Sequence, residues 1–335
     1  MKPHAWLITR RCKVIAFGPV PSRRLGYSLG INNIPAKHCT YSCVYCQVGR
    51  TTHMQLERQE FYPVDQILAE VGLKVSEVAR AGKKIDYLTL VPDGEPTLDL
   101  NLGKIIGGLK QFGIPIAVIS NASLIDRLDV QNELMQADWV SLKVDSVDES
   151  VWRKINRPHR RLSLPRILKG MLAFKQKFPG ILATESMLVA GLNDNQKVTR
   201  QLCAFLLEVQ PSVSYLSIPT RPPAEVEVTP PSPEALQEII EICAEQVPFV
   251  DLLFESEVGD FVSTGNLAED ILSITAVHPL REEALRDMVS DVGGTWQVVE
   301  DLLTSGEISS IRYRDERYFL RHFKDIRRKN AEPVL

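Results

Sequence analysis

The apolar positions of this chain keep two rhythms in alternation. Between Phe61 and Gly82, Val64, Ile67, Leu68, Val71, Val75 and Val78 recur every three or four residues, which draws one apolar stripe along a helix. The run YLTLV at 87–91 follows, short and uninterrupted, as expected of a strand buried on both faces. The same pair then repeats. Further strands are predicted at 27–34 (YSLGINNI), 116–120 (IAVIS), 139–144 (WVSLKV), 183–189 (ATESMLV) and 215–219 (YLSIP), with helical patterns near 100–112, 127–137, 165–177 and 195–209. About six βα units in succession predict an α/β fold with a parallel sheet and helices outside it, as a barrel or as an open sheet. In both arrangements chemistry collects at the C-terminal ends of the strands.

The alternation breaks at PTRPPAEVEVTPPSP (219–233), a proline-rich stretch that reads as a stiff extended loop leading into the helix EALQEIIEICAEQV. After FVDLLFES (249–256) no βα rhythm returns. GNLAEDILSIT, REEALRDMVSD and TWQVVEDLLTSGEI predict three short helices, and SIRYRDERYFLRHF predicts a hairpin around Asp315 and Glu316. That order is the order of a winged helix, so residues 1–257 are expected to form the barrel and 258–330 a small winged-helix-like domain. There is no internal repeat and no low-complexity tract.

Composition narrows the class without naming the chemistry. With 335 residues, 44% apolar, 24% charged and a net charge of -3, the chain is neither a disordered polymer nor a uniformly basic nucleic-acid binder. A polyanion partner would need a local basic patch. No stretch approaches the roughly 18 uninterrupted apolar residues of a membrane span, and the N-terminal apolar run is too short for a signal peptide. A soluble, cytoplasmic protein is the expectation, and its six cysteines are expected to be reduced.

Three of those cysteines crowd into HCTYSCVYCQVGR (38–50), just after a predicted strand. Thiolates so grouped suit zinc or an iron-sulfur cluster. Zinc wants a fourth ligand, for which His38 and His53 are available, although His38 adjoins Cys39 and His53 lacks the usual finger spacing. A thiol cluster with a purely structural role is the third reading. Spacing alone leaves all three open.

CTYSCVYC, with the pattern Cys-x3-Cys-x2-Cys and an aromatic residue before the last cysteine, resembles the signature of the radical S-adenosylmethionine (radical SAM) superfamily. The resemblance implies a partial (β/α)6 TIM-like barrel. It also implies that Cys39, Cys43 and Cys46 hold three irons of a [4Fe-4S] cluster, that the fourth iron is chelated by the amino and carboxylate groups of SAM, and that Tyr45 packs near the adenine. VPDGEPTL (91–98) is similar to the superfamily's Gly-Gly-Glu motif, with Asp93 in place of the first glycine. By that likeness Gly94 lets the backbone approach the ligand, Glu95 with nearby carbonyls accepts from the SAM ammonium, and Pro96 completes the motif. Polar residues at later strand ends are Ser120 and Asn121, then Ser141, Lys143 and Asp145, then Pro219 and Arg221. The resemblance assigns the third and fourth strand ends to the ribose and carboxylate of SAM, and the last ones, including Val189 and Pro219, to the adenine. The structural alternative makes Ser120 and Asn121 helix caps and Lys143 with Asp145 an ion pair.

Arg23, Arg24, Arg157, Arg160, Arg161 and Arg221 also fall at this rim, either to hold anionic groups of a substrate or as solvated loop charges. Cys12, Cys203 and Cys243 are scattered and read as core residues. FGPVPSRRLGYSLGI, ahead of the cysteines, resembles the branch of wyosine synthases and NifB-type enzymes. Only Cys12 lies upstream, however, where wyosine synthases carry three further cysteines for a second cluster. The superfamily likeness implies that an external reductant such as flavodoxin or ferredoxin reduces the cluster. SAM is then cleaved to methionine and a 5'-deoxyadenosyl radical, which abstracts hydrogen from a substrate, with RNA or a cofactor precursor as candidates.

The tail offers the competing reading, an iron-sulfur redox sensor with a nucleic-acid-binding winged helix. The hairpin side is basic, with Arg312, Arg314, Arg317, Arg321, Lys324, Arg327, Arg328 and Lys329, but the expected recognition helix carries Glu300 and Asp301. Acidic groups there are repelled by phosphate, which favours a packing, dimerisation or peptide-binding role over RNA contact.

Overall fold

Eight strands form one curled sheet, a half-barrel in the computed structural model, which describes residues 15–22, 24–253, 266–277, 280–313 and 316–321. The chain enters through β1 (Ala16–Ser22) and β2 (Gly26–Ile31), then makes the short strands β3 (His38–Cys39) and β4 (His53–Met54) around the cysteine loop. Next come α1 (Val64–Arg80), β5 (Tyr87–Leu90), α2 (Leu102–Leu109), β6 (Ile116–Ser120), α3 (Leu128–Leu134) and β7 (Trp139–Lys143). The barrel ends with α4 (Glu149–Asn156), α5 (Leu164–Lys175), β8 (Ile181–Met187), α6 (Gln196–Val209), β9 (Val213–Ser217), α7 (Pro233–Gln246) and β10 (Val250–Leu253). Strand order is β1-β2-β5-β6-β7-β8-β9-β10, with β1 antiparallel to β2 and every later pair parallel.

Strand alternation sorts the sheet's two faces. Leu29, Leu88, Val118, Val140, Leu182 and Leu216 join a core with Ile67, Ile105, Val130, Ile167, Leu202 and Ile239 of the helices. The opposite, concave face has its own apolar floor of Ala117, Trp139, Ala183 and Tyr215, to which no helix among the described residues contributes. Most residues that follow at two-residue steps toward the C-terminal ends are polar, namely Thr89, Ser141, Lys143, Glu185 and Ser217, with Ser28 bonded to Thr89 and with Ile119 and Met187 as the apolar exceptions. A buried polar layer therefore lies between the apolar floor and the strand-end rim.

All six expected strands are present, and the sheet has two more. β10 extends it parallel to β9, and β1 closes the other edge, where its prolines at 19 and 21 are tolerated as they would not be in a central strand. Helix α4 was not anticipated. Asp148 caps it, accepting from the backbone N–H of Ser150 (2.9 Å) and Val151 (3.1 Å).

Beyond the barrel the chain forms α8 (Leu267–Val277), β11 (Leu280–Arg281), α9 (Glu282–Asp291), α10 (Gln297–Thr304), β12 (Ile308–Tyr313) and β13 (Glu316–Arg321). The three helices and two hairpin strands match the sequence pattern, and the extra strand β11 pairs with β13. The hairpin turn at 314–315, the boundary at 257/258, Cys12, Arg23 and the basic residues 324–329 lie outside the described residues. Ile271, Ile274, Leu285, Met288, Val299 and Phe319 make this unit's own core, onto which Val20 of β1 packs. Lys74 of α1 pairs with buried Asp270 at 3.7 Å, and Tyr318 donates to the carbonyl of Thr220 at 2.8 Å.

Arg58 ties the segment after the cysteine loop to the turn after β5. Its side chain, 2% exposed, donates to the carbonyls of Thr97 (2.8 Å) and Asp99 (2.7 Å) and pairs with Asp129 and Glu133. Arg58→Ala strands the carbonyl of Thr97 and takes Glu133's ion-pair partner away, while Asp129 keeps Arg127 (2.8 Å) and the Asp99 carbonyl keeps the N–H of Leu102 (3.3 Å). The expected loss is roughly 3 kcal/mol, read as a lower urea midpoint at unchanged slope. A midpoint equal to wild type would show that this tie contributes nothing.

Candidate active site

The cysteine loop is anchored on three sides at the C-terminal rim of the sheet. β3 pairs with β4 in parallel, Ser42 and Val44 donate to the carbonyls of Asn156 (3.0 Å) and Ile155 (2.9 Å), and Glu95 donates its N–H to His38 (3.1 Å). Gly94 makes that last approach possible, since a Cβ there would lie 2.0 Å from the His38 carbonyl oxygen. Two side-chain amides point at the sulfurs: Asn121 Nδ2 lies 3.4 Å from Cys39 Sγ, and Asn156 Nδ2 lies 3.4 Å from Cys43 Sγ.

Burial, followed by neighbouring negative charge, pushes the thiols up, Cys43 to about 12 with Asp145 and Cys46 contributing and Cys39 further still. Cys46 is raised for the same first reason. Three such thiols ionise together only beside a strong positive charge, so the donor set suits a soft metal centre. It does not form a closed zinc cage. Among the described residues no three His, Cys, Asp or Glu side chains gather closely enough to hold one metal ion. His38 and His53 instead stack on each other at 4.3 Å, with their Nδ1 atoms on Gln55 and Thr52.

The turn after β5 divides its two carboxylates between different tasks. Glu95 is fully buried, and its carboxylate accepts from Thr97 N (3.1 Å), Thr97 Oγ1 (2.6 Å), Ser120 Oγ (2.7 Å) and Asn121 N (2.7 Å). The carboxylate expected to meet an ammonium is thus occupied by its own rim, as is the Ser120 hydroxyl. Pro96 is buried at the start of the short turn Pro96–Leu98 that Glu95 caps. Asp93, by contrast, has no hydrogen-bond partner for its carboxylate among the described residues. Burial lifts it to about 7, partly offset by the charge of Lys37. Ser120 and Asn121 cap no helix, since α3 begins only at Leu128; Asn121 Oδ1 accepts from Ser123 N at 2.9 Å.

Across the rim, Tyr45 packs with Val44, Ile155, Met187, Val189 and Val228, and its hydroxyl donates to Asp145. Asp145 also accepts from Asn156 Nδ2 (2.6 Å) and Met187 N (2.8 Å). Lys143 lies 5.0 Å from the Tyr45 ring centre but pairs with Glu185 (3.1 Å), so the Lys143–Asp145 ion pair is not formed. Arg24 closes on the other Glu185 oxygen. Burial opposes ionisation of Glu185, yet Arg24 and Lys143 outweigh it and hold the carboxyl down at about 2. Ser141, one step deeper on β7, is buried with no partner for its hydroxyl. Pro219 follows β9, and Arg221 reaches Gln47 of the cysteine loop at 3.1 Å. Among the remaining rim arginines, Arg157 pairs with Glu225 and Arg161 with Glu57, while Arg160 is exposed. A cleft of about 470 Å³ opens beside this cluster, lined by Val44, Arg153, Arg157, Val189, Glu225 and Val228.

Three residues of this network escaped the sequence reading. Glu185 carried a signal, a charge inside an apolar strand, which demands a buried partner. Asn156 and Asn193 carried none. Asn193 holds the β8 end by donating to the carbonyls of Asp145 and Met187 and accepting from Val189 N (2.7 Å).

Residues 33–203, which span the cysteine loop, the Asp93–Glu95 turn and the strands through β8, match the family model of the radical SAM superfamily. The chain belongs to that superfamily. As a radical SAM enzyme it takes S-adenosylmethionine and an iron-sulfur cluster from the family chemistry. It is similar to a UPF0026 protein of Methanocaldococcus jannaschii, 44% identical over 321 residues that cover 95% of this chain and 99% of the relative. A UPF0026 protein of Synechocystis is 37% identical over 62% of this chain and 76% of its own length. Among solved structures, a radical SAM methyltransferase from Sphaerobacter thermophilus shares the fold with a TM-score of 0.55 at 16% identity, covering 68% of this chain and 66% of that one. The barrel of the radical SAM fold is thereby established. No helix among the described residues is long and apolar enough to cross a membrane.

Asp93 yields a pH test in the metal-free radical SAM protein. Its carboxyl binds a proton more tightly when folded (about 7) than when unfolded (about 4), so the folded state loses stability as pH rises through that window. Asp93→Asn removes the loss. The stability difference, variant minus wild type, should be smallest near pH 4 and grow toward pH 8 by of order 2–4 kcal/mol at most. Urea unfolding at both pH values measures it, and a pH-independent difference would contradict it.

Proposed function

We propose that this radical SAM enzyme holds a [4Fe-4S] cluster on Cys39, Cys43 and Cys46 and binds S-adenosylmethionine along the rim formed by the ends of β5 to β9. The supporting observation is the geometry of the loop: three thiols, with no fourth protein ligand among the described residues, face a rim of polar side chains at the strand ends. When bound and reduced by one electron from a flavodoxin- or ferredoxin-type carrier, such a cluster would supply reductive cleavage of SAM to methionine and a 5'-deoxyadenosyl radical able to take a hydrogen atom from the substrate.

The chain's own residues bind and orient. Asp93 offers the uncommitted carboxylate that the ammonium of SAM needs, while Glu95 fixes the backbone of the motif around it. Asn121 and Asp145 offer polar contacts for the ribose and carboxylate, and Tyr45, Val189 and Pro219 an apolar surface for the adenine. The Tyr45 hydroxyl, bound to Asp145, keeps the ring from rotating into the site. On the concave face Lys143, Arg24, Glu185 and the unpartnered Ser141 hydroxyl favour a polar substrate over an apolar one. RNA and cofactor precursors both meet that description. We place the reaction in the cytoplasm.

The C-terminal unit, with its helix, strand, helix, helix, two-strand order, supports a winged-helix-like reading and with it the sensor alternative. The acidic Glu300 and Asp301 on α10 weigh against entry into a groove.

The deciding assay is anaerobic release of 5'-deoxyadenosine from SAM by the reconstituted, dithionite-reduced protein. Slow release is expected, lost on Cys43→Ala, and weakened about five- to tenfold in SAM affinity by Tyr45→Phe, which deletes one hydrogen bond. A protein that carries the cluster but releases no 5'-deoxyadenosine would overturn the enzyme mechanism and favour the sensor.

A further inference from the structure

We infer that Asn121 and Asn156 set the reduction potential of the cluster by donating side-chain N–H groups to the sulfurs of Cys39 and Cys43; this rests on the cluster assignment above. The two amides come from opposite sides of the loop, Asn121 from the end of β6 and Asn156 from the last turn of α4. Each reaches its sulfur at 3.4 Å.

Neither amide is free to turn its oxygen toward the sulfur. Asn121 Oδ1 is held by the N–H of Ser123 (2.9 Å), and Nδ2 gives one hydrogen to Thr40 Oγ1 (2.8 Å), which leaves the other for Cys39. Asn156 Nδ2 gives one hydrogen to the carboxylate of Asp145 (2.6 Å), which only an N–H can satisfy, and the other faces Cys43 (3.4 Å) with the Tyr45 hydroxyl beside it at 3.5 Å. Asn156 is 2% exposed, so water does not substitute for it. Backbone donors add to these amides, at Tyr41 for Cys39 and at Val48 for Cys46.

The direction of the effect follows from charge. One-electron reduction, [4Fe-4S]2+ plus one electron giving [4Fe-4S]1+, adds negative charge that spreads onto the sulfurs. An N–H donor therefore stabilises the reduced form more than the oxidised one, and more strongly in a water-poor site. Losing a donor makes the cluster harder to reduce. Asn156 also links the cluster to the rim, because the Asp145 carboxylate that orients it is the one that receives the Tyr45 hydroxyl.

The test is an anaerobic redox titration of the reconstituted full-length protein, with dithionite as electron donor and the reduced cluster followed by electron paramagnetic resonance. Asn121→Ala and Asn156→Ala should each lower the reduced-to-oxidised ratio at fixed potential about tenfold, a shift of ~59 mV for one electron. Asn156→Asp, similar in shape but without the donor and with added negative charge, should shift further the same way. Variants with wild-type iron content and an unchanged midpoint would overturn the inference and show these amides to be merely structural. Where a variant does not retain its cluster, wild-type protein labelled with 15N-asparagine decides: a 15N hyperfine coupling to the reduced cluster is expected, and its absence would overturn the inference. A wild-type protein that assembles no four-iron cluster would instead overturn the assignment beneath it.

Discussion

Glu95 has no exposed surface, and an unpaired carboxylate so placed would cost several kcal/mol. Thr97, Ser120 and Asn121 take it up with four hydrogen bonds, and in doing so they join the end of β5 to the end of β6. Much else at the rim depends on this buried group. It fixes the backbone of Asn121, whose amide then faces Cys39, and it sets the turn in which Gly94 meets the carbonyl of His38. Cysteine loop, motif turn and strand end thus form one hydrogen-bonded unit. Burial still leaves the Glu95 carboxyl raised, with the hydrogen bonds from Thr97, Asn121 and Ser120 offsetting part of that cost.

The second buried carboxylate on this face has a different balance. Glu185 is surrounded by Arg24 and Lys143 and stays ionised, so the concave face keeps a fixed ion cluster directly under the rim. Buried pairs of this kind add little net stability, because desolvation offsets most of the attraction. Their contribution is to hold charged groups in set positions. The hydroxyl of Ser141, buried without a partner, lies one step deeper on the same face and marks where a polar ligand group would be welcome.

The relation between chain and fold is clearest where expectation and structure part. Branched apolar runs located every internal strand, because a parallel strand is buried on both faces and cannot hide its composition. β1, with its prolines, and β10, with an aspartate, were not foreseen, because edge strands are under weaker demands. The scattered thiols Cys203 and Cys243 are core residues as expected, yet α6 and α7 bring their sulfurs to 2.9 Å of each other, which no spacing of 40 residues announces.

By itself the sequence determined the α/β alternation, the cysteine loop and the motif turn at 93–96, since each is a local pattern whose chemistry lies within a few residues. Tertiary structure alone decided how those pieces are shared out. It turned Glu95 inward as a brace and left Asp93 uncommitted, paired Lys143 with Glu185 instead of Asp145, and set Asn156 against Cys43 from 113 residues away. The physical reason is that a buried polar side chain takes its role from whichever partner the folded chain brings within about 3 Å, and that partner is seldom a neighbour in sequence.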